Sequence, residues 1–393
     1  MAAGRSELRK AAEKGFRYFD YNLIVIVIFL LIFGLVMVYS SSSYDAFLTF
    51  GDASFYLKKQ ILATAVGLGA MIVVAFIPYN LFYRVGMLAY LASLVVIFLI
   101  IPFGKEANGA KRWIYLFNNR VSFQPAEFVK FAMIIFLACL IRRMGEGIHT
   151  WRGFGLILGL TGIISALLWG VTSNASSAII VFGIALVMMF VATRDYKRYV
   201  IVGIAGAILA ALVVVIIVVN ASGADSAHVG GYRGERVLAW LDPEAYASGK
   251  GFQTLQSLYA IGSGGFFGKG LGESMQKLGF IPEAQNDMIF SVICEELGLF
   301  GALALMLLFM LLLWRLKIIA DNARDMFGTL IVAGVMGHIA IQVILNIAVV
   351  TNTIPNTGIS LPFISYGGTA LAFLMGEMGL ALGVAKAIRA REY

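Results

Sequence analysis

Long hydrophobic runs alternate with polar segments along almost the whole chain. About 20 apolar residues in an α-helix cross the roughly 30 Å of a bilayer's hydrocarbon core. Most of the runs reach that length and lack charges at their centres. The pattern therefore predicts an all-α, polytopic integral membrane protein with about ten transmembrane helices. These helices are predicted at residues 22–41, 60–79, 82–102, 124–142, 153–172, 176–193, 198–220, 288–316, 326–351 and 367–388.

The polar segments differ greatly in length. Residues 221–287 form the longest one after the first apolar run, and they are too polar to cross a membrane. Their apolar side chains and few acidic runs favour an ordered loop that lies on the membrane, because long loops of this kind are usually functional or disordered. No other segment could fold alone as a soluble domain. Residues 1–393 are therefore predicted to form a single membrane domain, with residues 1–21 as an N-terminal tail.

Basic residues set the predicted orientation, because cytoplasmic segments of membrane proteins are enriched in Lys and Arg. With ten spans, most basic groups fall on one side. Both termini are then cytoplasmic, and residues 221–287 form a large extracellular loop between the seventh and eighth helices. The cytoplasmic groups are the basic N-terminal tail, Arg84, Arg142, Arg143, Arg152, Arg194, Lys197, Arg198, Arg315, Lys317, Arg324, Lys386, Arg389 and Arg391.

Composition agrees with this class of protein. Hydrophobic residues make up 60% of the 393 residues and charged residues 13%, and 43 residues are glycine. Soluble domains carry about 25% charged residues, whereas glycine is common where membrane helices pack closely. The first apolar run is too long for a cleavable signal peptide and lacks a small-residue cleavage site. We expect a membrane environment and no nucleic-acid partner.

Cysteine and histidine usage argues against a protein-based metal site. Cys139 and Cys294 both lie in apolar runs and have no zinc-binding spacing, so they are predicted to be small core residues. The three histidines do not cluster along the sequence.

One predicted outward loop, residues 103–123, is unexpectedly basic. It carries Lys105, Lys111, Arg112 and Arg120 against a single acidic residue. Positive charge on the outer side opposes the usual bias. An anionic ligand at the outer leaflet would explain it, because Arg and Lys bind phosphate oxygens. A solvated loop, or pairing with anionic lipid headgroups, would explain it equally well.

Asp287 lies where the polar, Gly-rich stretch 251–298 runs into the eighth apolar segment. A carboxylate at a membrane boundary costs free energy unless it is solvated, paired or used. Asp287 is therefore either a solvated helix N-cap or a reacting group within reach of a headgroup-sized substrate. Ser291 and Glu295 follow on the same helical face. Glu295 and Glu296 are predicted to make structural hydrogen bonds inside the membrane.

The start of the fourth run is also polar. Gln124 and Pro125 are followed by Glu127 and Lys130, which is ordinary chemistry for the start of a helix. Glu127 and Lys130 can pair across one turn. They would contribute to function if they faced the same cavity as Asp287.

Two further features suggest polar structure inside the membrane. The segment 355–369 contains two prolines and a Gly pair and predicts irregular backbone, which is tolerated at that depth only where protein or water covers it. His338, Gln342 and Asn346 recur every four residues and form one polar face. We expect that face to hydrogen-bond to neighbouring helices.

Four motifs, in order, resemble the signature segments of the SEDS family of polytopic cell-wall proteins, which includes FtsW, RodA and SpoVE. They are NGAKRW (108–113), QPAEFVK (124–130), the stretch 256–298 with GFIPEAQNDMIF and EELG, and LPFISYGGT (361–369). The resemblance covers all ten predicted helices and is closest to the FtsW and SpoVE branch. In one departure, Asn174 stands at the sixth span where many members carry an acidic residue.

The resemblance implies a peptidoglycan glycosyltransferase that uses lipid II as donor and acceptor, at the outer leaflet of the bacterial plasma membrane. A class B penicillin-binding protein and other divisome proteins are the implied partners, and the division septum is the expected location. Asp287 matches the family's essential acidic residue. Mg²⁺ could accompany the diphosphate, although the sequence offers no carboxylate cage. Predicted substrate-binding residues are Lys111, Arg112, Trp113, Gln124, Glu127, Lys130, Lys269, Gln276, Lys277, Ser365 and Tyr366.

In the implied mechanism, Asp287 acts as general base on the acceptor hydroxyl, and the donor carbon inverts without a covalent intermediate. Lys111 and Arg112 would stabilise the leaving diphosphate, with help from Lys105, Arg120 or Lys269. Two other functions stay open, a flippase of lipid-linked precursor and a scaffold for division partners. The flippase pathway would use Glu127, Lys130, Glu295, Glu296 and Glu377. No inverted repeat typical of transporters is visible.

Overall fold

The computed structural model of the protein describes residues 20–107, 110–116, 121–193, 195–222 and 231–388. Predictions about Arg120, Arg194, Arg389, Arg391 and most of the N-terminal tail lie outside these residues. The helices are α1 (Tyr21–Phe50), α2 (Phe55–Phe76), α3 (Asn80–Phe98), its one-turn extension α4 (Ile100–Phe103), α5 (Pro125–Met144), α6 (Trp151–Thr172), α7 (Ala175–Thr193), α8 (Tyr196–Ser222), α9 (Gly231–Leu241), α10 (Lys250–Gly264), α11 (Ile289–Asp321), α12 (Met326–Val350) and α13 (Gly368–Ala387).

The long helices confirm a polytopic, all-α membrane fold. Within the described residues, 9 spans are long and apolar enough to cross a membrane, with α3 and α4 counted together. Helix α5 is a further 20-residue helix, but it carries Glu127, Lys130, Arg142 and Arg143. A helix satisfies its own backbone hydrogen bonds, so helices are the natural way for this chain to cross lipid.

Helix α1 continues beyond its predicted end at residue 41, as far as Phe50. The polar serines that suggested an end are accommodated inside the helix. The Ser42 hydroxyl donates to the Val38 carbonyl at 2.6 Å, and the Ser40 hydroxyl donates to Glu296 of α11 at 2.6 Å. The helix ends at Gly51, whose φ of 71° suits glycine.

The basic segment 103–123, predicted as a loop, contains a small antiparallel sheet. Strands β1 (Gly104–Ala107), β2 (Ala110–Leu116) and β3 (Val121–Phe123) lie in the order β1-β2-β3. Lys105 pairs with Trp113 across the first two strands, and the register shifts after Lys105. The strands are short and their alternation of apolar and polar residues is weak, which is why hydropathy did not predict them.

The segment 221–287 is ordered in its described part, and two short helices account for much of it. Helix α9 packs on α10, and α10 packs on α11. The Trp240 indole donates to the Asn352 carbonyl at 3.0 Å, and the Ser257 hydroxyl donates to the Val350 carbonyl at 2.9 Å. These bonds attach the segment to the end of α12.

The core of the bundle is formed by α5, α12 and α13, and α8 lies at the periphery with none of its described side chains buried. Helix α3 approaches α5 closely at Gly86, where an added Cβ would lie 2.3 Å from the Cys139 Sγ atom. Cys139 and Cys294 are free and buried, which confirms them as core residues.

The two ends of the bundle differ in character. We use the name loop end for one of them. It is the end that carries the three-stranded sheet and the segments 231–288 and 351–367. Helices α5, α7, α11 and α13 begin there, and α12 ends there. At the opposite end α2 turns into α3, α5 finishes and α12 begins.

Candidate active site at the loop end

Asp287 lies at the loop end, just before α11. Its carboxylate accepts one hydrogen bond from another described residue, a long one of 3.4 Å from the Gln253 amide to Oδ1. The pKa of this carboxyl is raised to about 6, mainly by burial and also by the nearby Glu283, while its own backbone N–H, Arg236 and Gln253 act to lower it. The residue still keeps partial access to solvent. At neutral pH the Asp287 carboxylate is therefore mostly ionised, but nearby positive charge balances its negative charge only weakly.

The backbone at Asp287 is held by α12. The Asn346 amide donates to the Asp287 carbonyl at 2.8 Å and to the Ile359 carbonyl at 2.6 Å. The preceding residue of that loop, Gly358, has a φ of +69°, and a Cβ added there would lie 3.7 Å from the Asp287 Oδ2 atom. Asn346 thus fixes the Asp287 backbone and the 351–367 loop against each other.

Polar side chains from the 231–264 region and from the 351–367 loop form a hydrogen-bonded group beside the carboxylate. The Asn356 amide donates to the Gln253 Oε1 atom at 3.0 Å, and the Arg236 guanidinium donates to the Asn356 carbonyl at 3.3 Å. Sequence reasoning did not identify Gln253, Asn356 or Arg236 as site residues. The charge of Arg236 in a loop next to the motif was the only signal that could have pointed to them.

The basic sheet lies at the same loop end, where it contacts the junction between α6 and α7. Arg112 donates to the Ser173 carbonyl at 2.8 Å, and the Ser176 hydroxyl donates to the Thr357 carbonyl at 2.6 Å. Thr357 precedes Gly358, which lies against Asp287. These two hydrogen bonds connect Arg112, through the α6–α7 junction, to the loop that passes the carboxylate.

The other cations of the sheet are accessible. Lys111 is exposed on β2 and Trp113 is half-buried. Lys105 is exposed as well, with its amine 5.4 Å from the centre of the Tyr115 ring. Positive charge is thus available to a ligand on this side of the loop end.

Asn174, the departure from the family pattern, caps a helix. Its Oδ1 atom accepts a hydrogen bond from the Ser177 backbone N–H at 3.1 Å, and its side chain is buried at the junction of α6 and α7. Asparagine is a favoured N-cap residue, so this position has a structural role that needs no charge.

Glu127 and Lys130 of α5 pair in the interior, with 2.9 Å between the Lys130 Nζ and Glu127 Oε2 atoms. Lys130 also donates to the Gln342 Oε1 atom at 3.2 Å, and Gln342 donates to the Ser360 carbonyl at 2.9 Å. Glu127 lines a cavity of about 20 Å³, which has room for one water molecule. Asp287 does not line that cavity, so the two carboxylates do not share one space in this structure.

The polar face of α12 makes interhelical hydrogen bonds, as predicted. Asn346 holds the Asp287 segment, Gln342 holds Lys130, and His338 contacts Glu377 of α13 with 2.7 Å between Nδ1 and Oε2. His338 also lines the small cavity. This one face connects the loop end to the membrane interior.

Lys269 and Lys277 are engaged by the two glutamates of α11. The Lys269 amine lies 2.6 Å from the Glu295 Oε1 atom, and the Lys277 amine lies 2.7 Å from the Glu296 Oε1 atom. Gln276 is half-buried and donates its backbone N–H to Glu295 at 3.3 Å. The predicted structural role of both glutamates is confirmed by these contacts. Binding of substrate by Lys269, Gln276 and Lys277 stays a prediction.

A kink in α11 explains why this region needs glycine. Gly298 has a φ of 65°, outside the helical range, and it frees carbonyl groups of the preceding turn. The backbone N–H of Lys269 donates to the Glu295 carbonyl, and that of Gly270 donates to the Glu296 carbonyl, both at 2.9 Å. The 265–270 segment therefore satisfies the backbone groups that the kink exposes.

The last predicted substrate-binding residues are Ser365, Tyr366 and Gln124. The Ser365 hydroxyl accepts from the Leu361 N–H at 2.7 Å. Tyr366 packs edge-on against Tyr56, with 5.1 Å between ring centres, and burial raises the pKa of its hydroxyl. Gln124 precedes α5 and makes no side-chain capping bond. Ser365 and Tyr366 line the cavity with Glu127.

The described residues contain no group of three or more His, Cys, Asp and Glu side chains that could hold a metal ion. A cation that accompanies a diphosphate therefore stays a prediction about the substrate.

The sequence matches known proteins along almost its whole length. The model of the FtsW, RodA and SpoVE family, described as "Cell cycle protein", matches residues 21–390. Stage V sporulation protein E of Bacillus subtilis is 38% identical over 371 residues, which cover 93% of this chain and 97% of that protein. A "Probable peptidoglycan glycosyltransferase FtsW" of Saccharophagus degradans is 36% identical over 377 residues, which cover 94% of this chain and 93% of that protein.

Solved structures share the fold. One chain, from a structure described as "Structural coordination of polymerization and crosslinking by a peptidoglycan synthase complex", is 27% identical with a TM-score of 0.77, and the match covers 95% of this chain and 99% of that chain. The rod shape determining protein RodA of Thermus thermophilus is 25% identical with a TM-score of 0.64, over 95% of this chain and 98% of that chain.

Proposed function

The chain belongs to the FtsW, RodA and SpoVE family of cell cycle proteins, and on that premise we propose that it is a peptidoglycan glycosyltransferase that polymerises lipid II into glycan strands. Asp287 is its general base. The observation that carries this assignment is the state of the Asp287 carboxylate. It is partly accessible, its pKa is raised to about 6, and among the other described residues only Gln253 hydrogen-bonds to it, at 3.4 Å. A base of this kind is ionised at neutral pH and can still accept a proton.

The acceptor sugar hydroxyl donates its proton to Asp287 as its oxygen attacks the donor's anomeric carbon. The bond from that carbon to the diphosphate breaks, and its electron pair leaves with the phosphate. Direct displacement inverts the anomeric carbon and forms no covalent enzyme intermediate. Arg236 and Gln253 lie next to the carboxylate and keep it oriented.

The departing diphosphate needs positive charge, and the basic sheet supplies it. Lys111 is exposed, and Arg112 is linked through Ser173, Ser176 and Thr357 to the loop that lies against Asp287. Fixed cations at the position where charge develops stabilise a transition state without reorganisation. Lys105 adds a third accessible cation. Mg²⁺ bound to the diphosphate would add to this charge.

We place the loop end on the outer side of the plasma membrane, at the division septum. The Lys and Arg bias supports this orientation, and lipid II with its sugars at the outer leaflet is a substrate that this end could reach. The likeness to a chain of a peptidoglycan synthase complex supports a class B penicillin-binding protein as partner, with other divisome proteins around it.

A flippase is the second candidate, because the interior contains a connected set of charged groups. The Glu127–Lys130 pair, Gln342, His338 and Glu377 run from the small cavity into the membrane region. Polar groups inside membranes often mark transport pathways. The flippase would not need the carboxylate of Asp287, so that residue distinguishes the two functions.

The test is glycan-strand formation from lipid II by the purified full-length protein, with and without a class B penicillin-binding protein. We expect polymer from the unmodified chain and none from Asp287→Asn. Asp242→Asn makes the same change on an exposed carboxylate of the same loop region and should leave polymerisation intact.

Polymer formed by a folded Asp287→Asn protein would overturn the general-base assignment. The flippase assignment would be correct on a different result. In that case neither the unmodified protein nor the variant forms polymer under any condition, vesicles that contain the unmodified protein flip lipid II, and vesicles with Asp287→Asn flip it equally well.

A further inference from the structure

A second cavity lies at the opposite end of the bundle from Asp287. Its volume is about 410 Å³. It is formed where α2 turns into α3, where α5 ends and where α12 begins. Three of its lining side chains are uncharged, and the other three bring two positive charges and one negative charge; they are Tyr79, Asn80, Tyr83, Arg142, Arg324 and Asp325. Neither candidate function uses this cavity.

Arg142 is held in one orientation. Its guanidinium lies 3.1 Å from the Asp325 Oδ2 atom. Its central carbon is 4.9 Å from the centre of the Tyr83 ring and 5.9 Å from that of Phe327. Stacking on an aromatic ring leaves the edge of a guanidinium free to donate hydrogen bonds. Arg142 is thus preorganised for an anion.

Asp325 does not compete strongly with an anion, because its oxygens are already engaged. Oδ1 accepts from the Gly328 backbone N–H at 2.9 Å, which caps α12, and from the Tyr79 hydroxyl at 3.2 Å. Oδ2 accepts from Arg142. Asp325 therefore acts as the support that positions Arg142.

Arg324 is the second cation of the cavity. It is exposed, and within the described part of the chain no hydrogen bond or ion pair involves it. Three other basic residues at this end are neutralised by acidic partners: Arg198 by Asp195, Arg315 by Asp20, and Lys317 by Asp321. The lining therefore carries a net charge of one positive unit, supplied by a side chain that is available to a ligand.

A phosphodiester carries one negative charge and matches this lining. The N-terminal ends of α3 and α12 also meet at the cavity, and both favour negative charge. Large apolar side chains adjoin the lining residues along the chain and are exposed, as expected where a bilayer begins: Phe76 (68%), Leu81 (49%) and Met326 (40%). A ligand here would have a phosphate beside the arginines and hydrocarbon beside these side chains.

We propose that this cavity binds the headgroup of an anionic phospholipid, with the phosphodiester between Arg142 and Arg324 and the acyl chains on the neighbouring apolar surface. Basic pockets between membrane helices are known to take anionic headgroups. In the predicted orientation the lipid belongs to the inner leaflet. The site does not depend on the reaction proposed for the loop end.

The test is native mass spectrometry of the full-length protein in detergent, titrated with phosphatidylglycerol or with phosphatidylcholine. We expect one tightly retained copy of phosphatidylglycerol and weaker binding of phosphatidylcholine. Arg324→Gln should weaken phosphatidylglycerol binding about tenfold, as expected for loss of a charged hydrogen bond. Arg152→Gln removes the same charge from an exposed site at the same end, outside the cavity, and should have no effect.

Equal losses in the two variants, or no loss in Arg324→Gln, would overturn the proposal. A further arm uses inorganic phosphate as competitor. Displacement of the lipid by millimolar phosphate would mean that the cavity recognises a free anion and would overturn the lipid assignment.

Because Arg324 is exposed and unpaired, its replacement should leave the melting temperature unchanged, and a drop in that temperature would contradict the description of Arg324 as a free cation.

Discussion

Asp287 and the Glu295–Glu296 pair lie on one short stretch of chain but have opposite surroundings. Glu295 and Glu296 are fully buried, and each is paired with a lysine. Glu295 also accepts hydrogen bonds from the Ser274 hydroxyl and the Met275 N–H, whereas Asp287 accepts one long bond. Hydrogen bonds and cations stabilise the ionised form of Glu295 and Glu296, whereas the weakly hydrogen-bonded carboxylate of Asp287 takes up a proton more readily.

The largest effect should come from breaking the buried pair. Glu296→Ala leaves the Lys277 amine buried with only the Ser40 hydroxyl and the Gly272 carbonyl as partners. Removal of one partner of a buried ion pair costs about 3–5 kcal/mol. We expect a loss of that size in the free energy of unfolding, measured by denaturant titration in detergent.

The double variant Glu296→Ala/Lys277→Ala is the control for that experiment. It removes both charges and should be less destabilised than the sum of the two single variants. A loss below about 1 kcal/mol for Glu296→Ala would contradict the structural role, because it would mean that the pair contributes no more than an exposed one.

One glycine in each region extends the comparison to how tightly the backbone is packed. A Cβ at Gly268 would lie 2.2 Å from the Glu296 carbonyl oxygen, whereas a Cβ at Gly358 would lie 3.7 Å from the Asp287 Oδ2 atom. Both residues have positive φ, 79° and 69°, which costs about 1–2 kcal/mol for alanine. Gly268→Ala adds a collision with backbone and should destabilise by about 2–4 kcal/mol.

Gly358→Ala should destabilise by no more than about 2 kcal/mol and mainly affect polymerisation, because the new methyl group lies beside the carboxylate. Thermal unfolding and strand synthesis on both variants check this. Equal losses of stability would contradict the description of the Gly268 region as the tighter one.

Hydropathy could predict the long helices because a lipid-crossing helix must be apolar along most of its length. It could not predict the end of α1, since Ser40 is accommodated by Glu296, a residue far along the chain. It also missed the sheet that carries Lys111 and Arg112, whose strands are short and only weakly patterned. Local sequence does not reveal partners that tertiary structure brings together.

The candidate site was predictable to a similar extent. Asp287 was identified through its motif and its position at a membrane boundary. Gln253 and Asn356 were not, because they are uncharged and reach Asp287 only through folding. The sequence also did not indicate that the Lys277 amine would be buried against Glu296.

The pH dependence of the reaction tests the free carboxylate directly. Asp287 must be deprotonated to act as a base, and the pKa of its carboxyl is about 6. We expect the kcat/KM for strand synthesis to be level above neutral pH and to fall about tenfold between pH 7 and pH 5. Asp242→Asn should keep the same profile. A rate that stays level down to pH 5 would contradict the raised pKa or the base role.

The smallest effect is on stability, and its sign differs between the two regions. The folded protein raises the pKa of Asp287 from 3.8 to about 6, so the ionised carboxylate is less stable folded than unfolded. Above pH 6 this costs at most about 3 kcal/mol, and partial access to solvent should reduce it to about 1 kcal/mol.

Asp287→Asn removes that cost. The variant should be more stable than the unmodified protein at pH 8, and this advantage should shrink as the pH falls through 6 and vanish near 4. Glu295→Gln, which weakens a satisfied pair with Lys269, should instead lower stability at pH 8. Denaturant titrations at the three pH values measure both variants. If both substitutions lower stability, the Asp287 carboxylate is held as firmly as that of Glu295, and its open coordination cannot be what suits it to accept a proton.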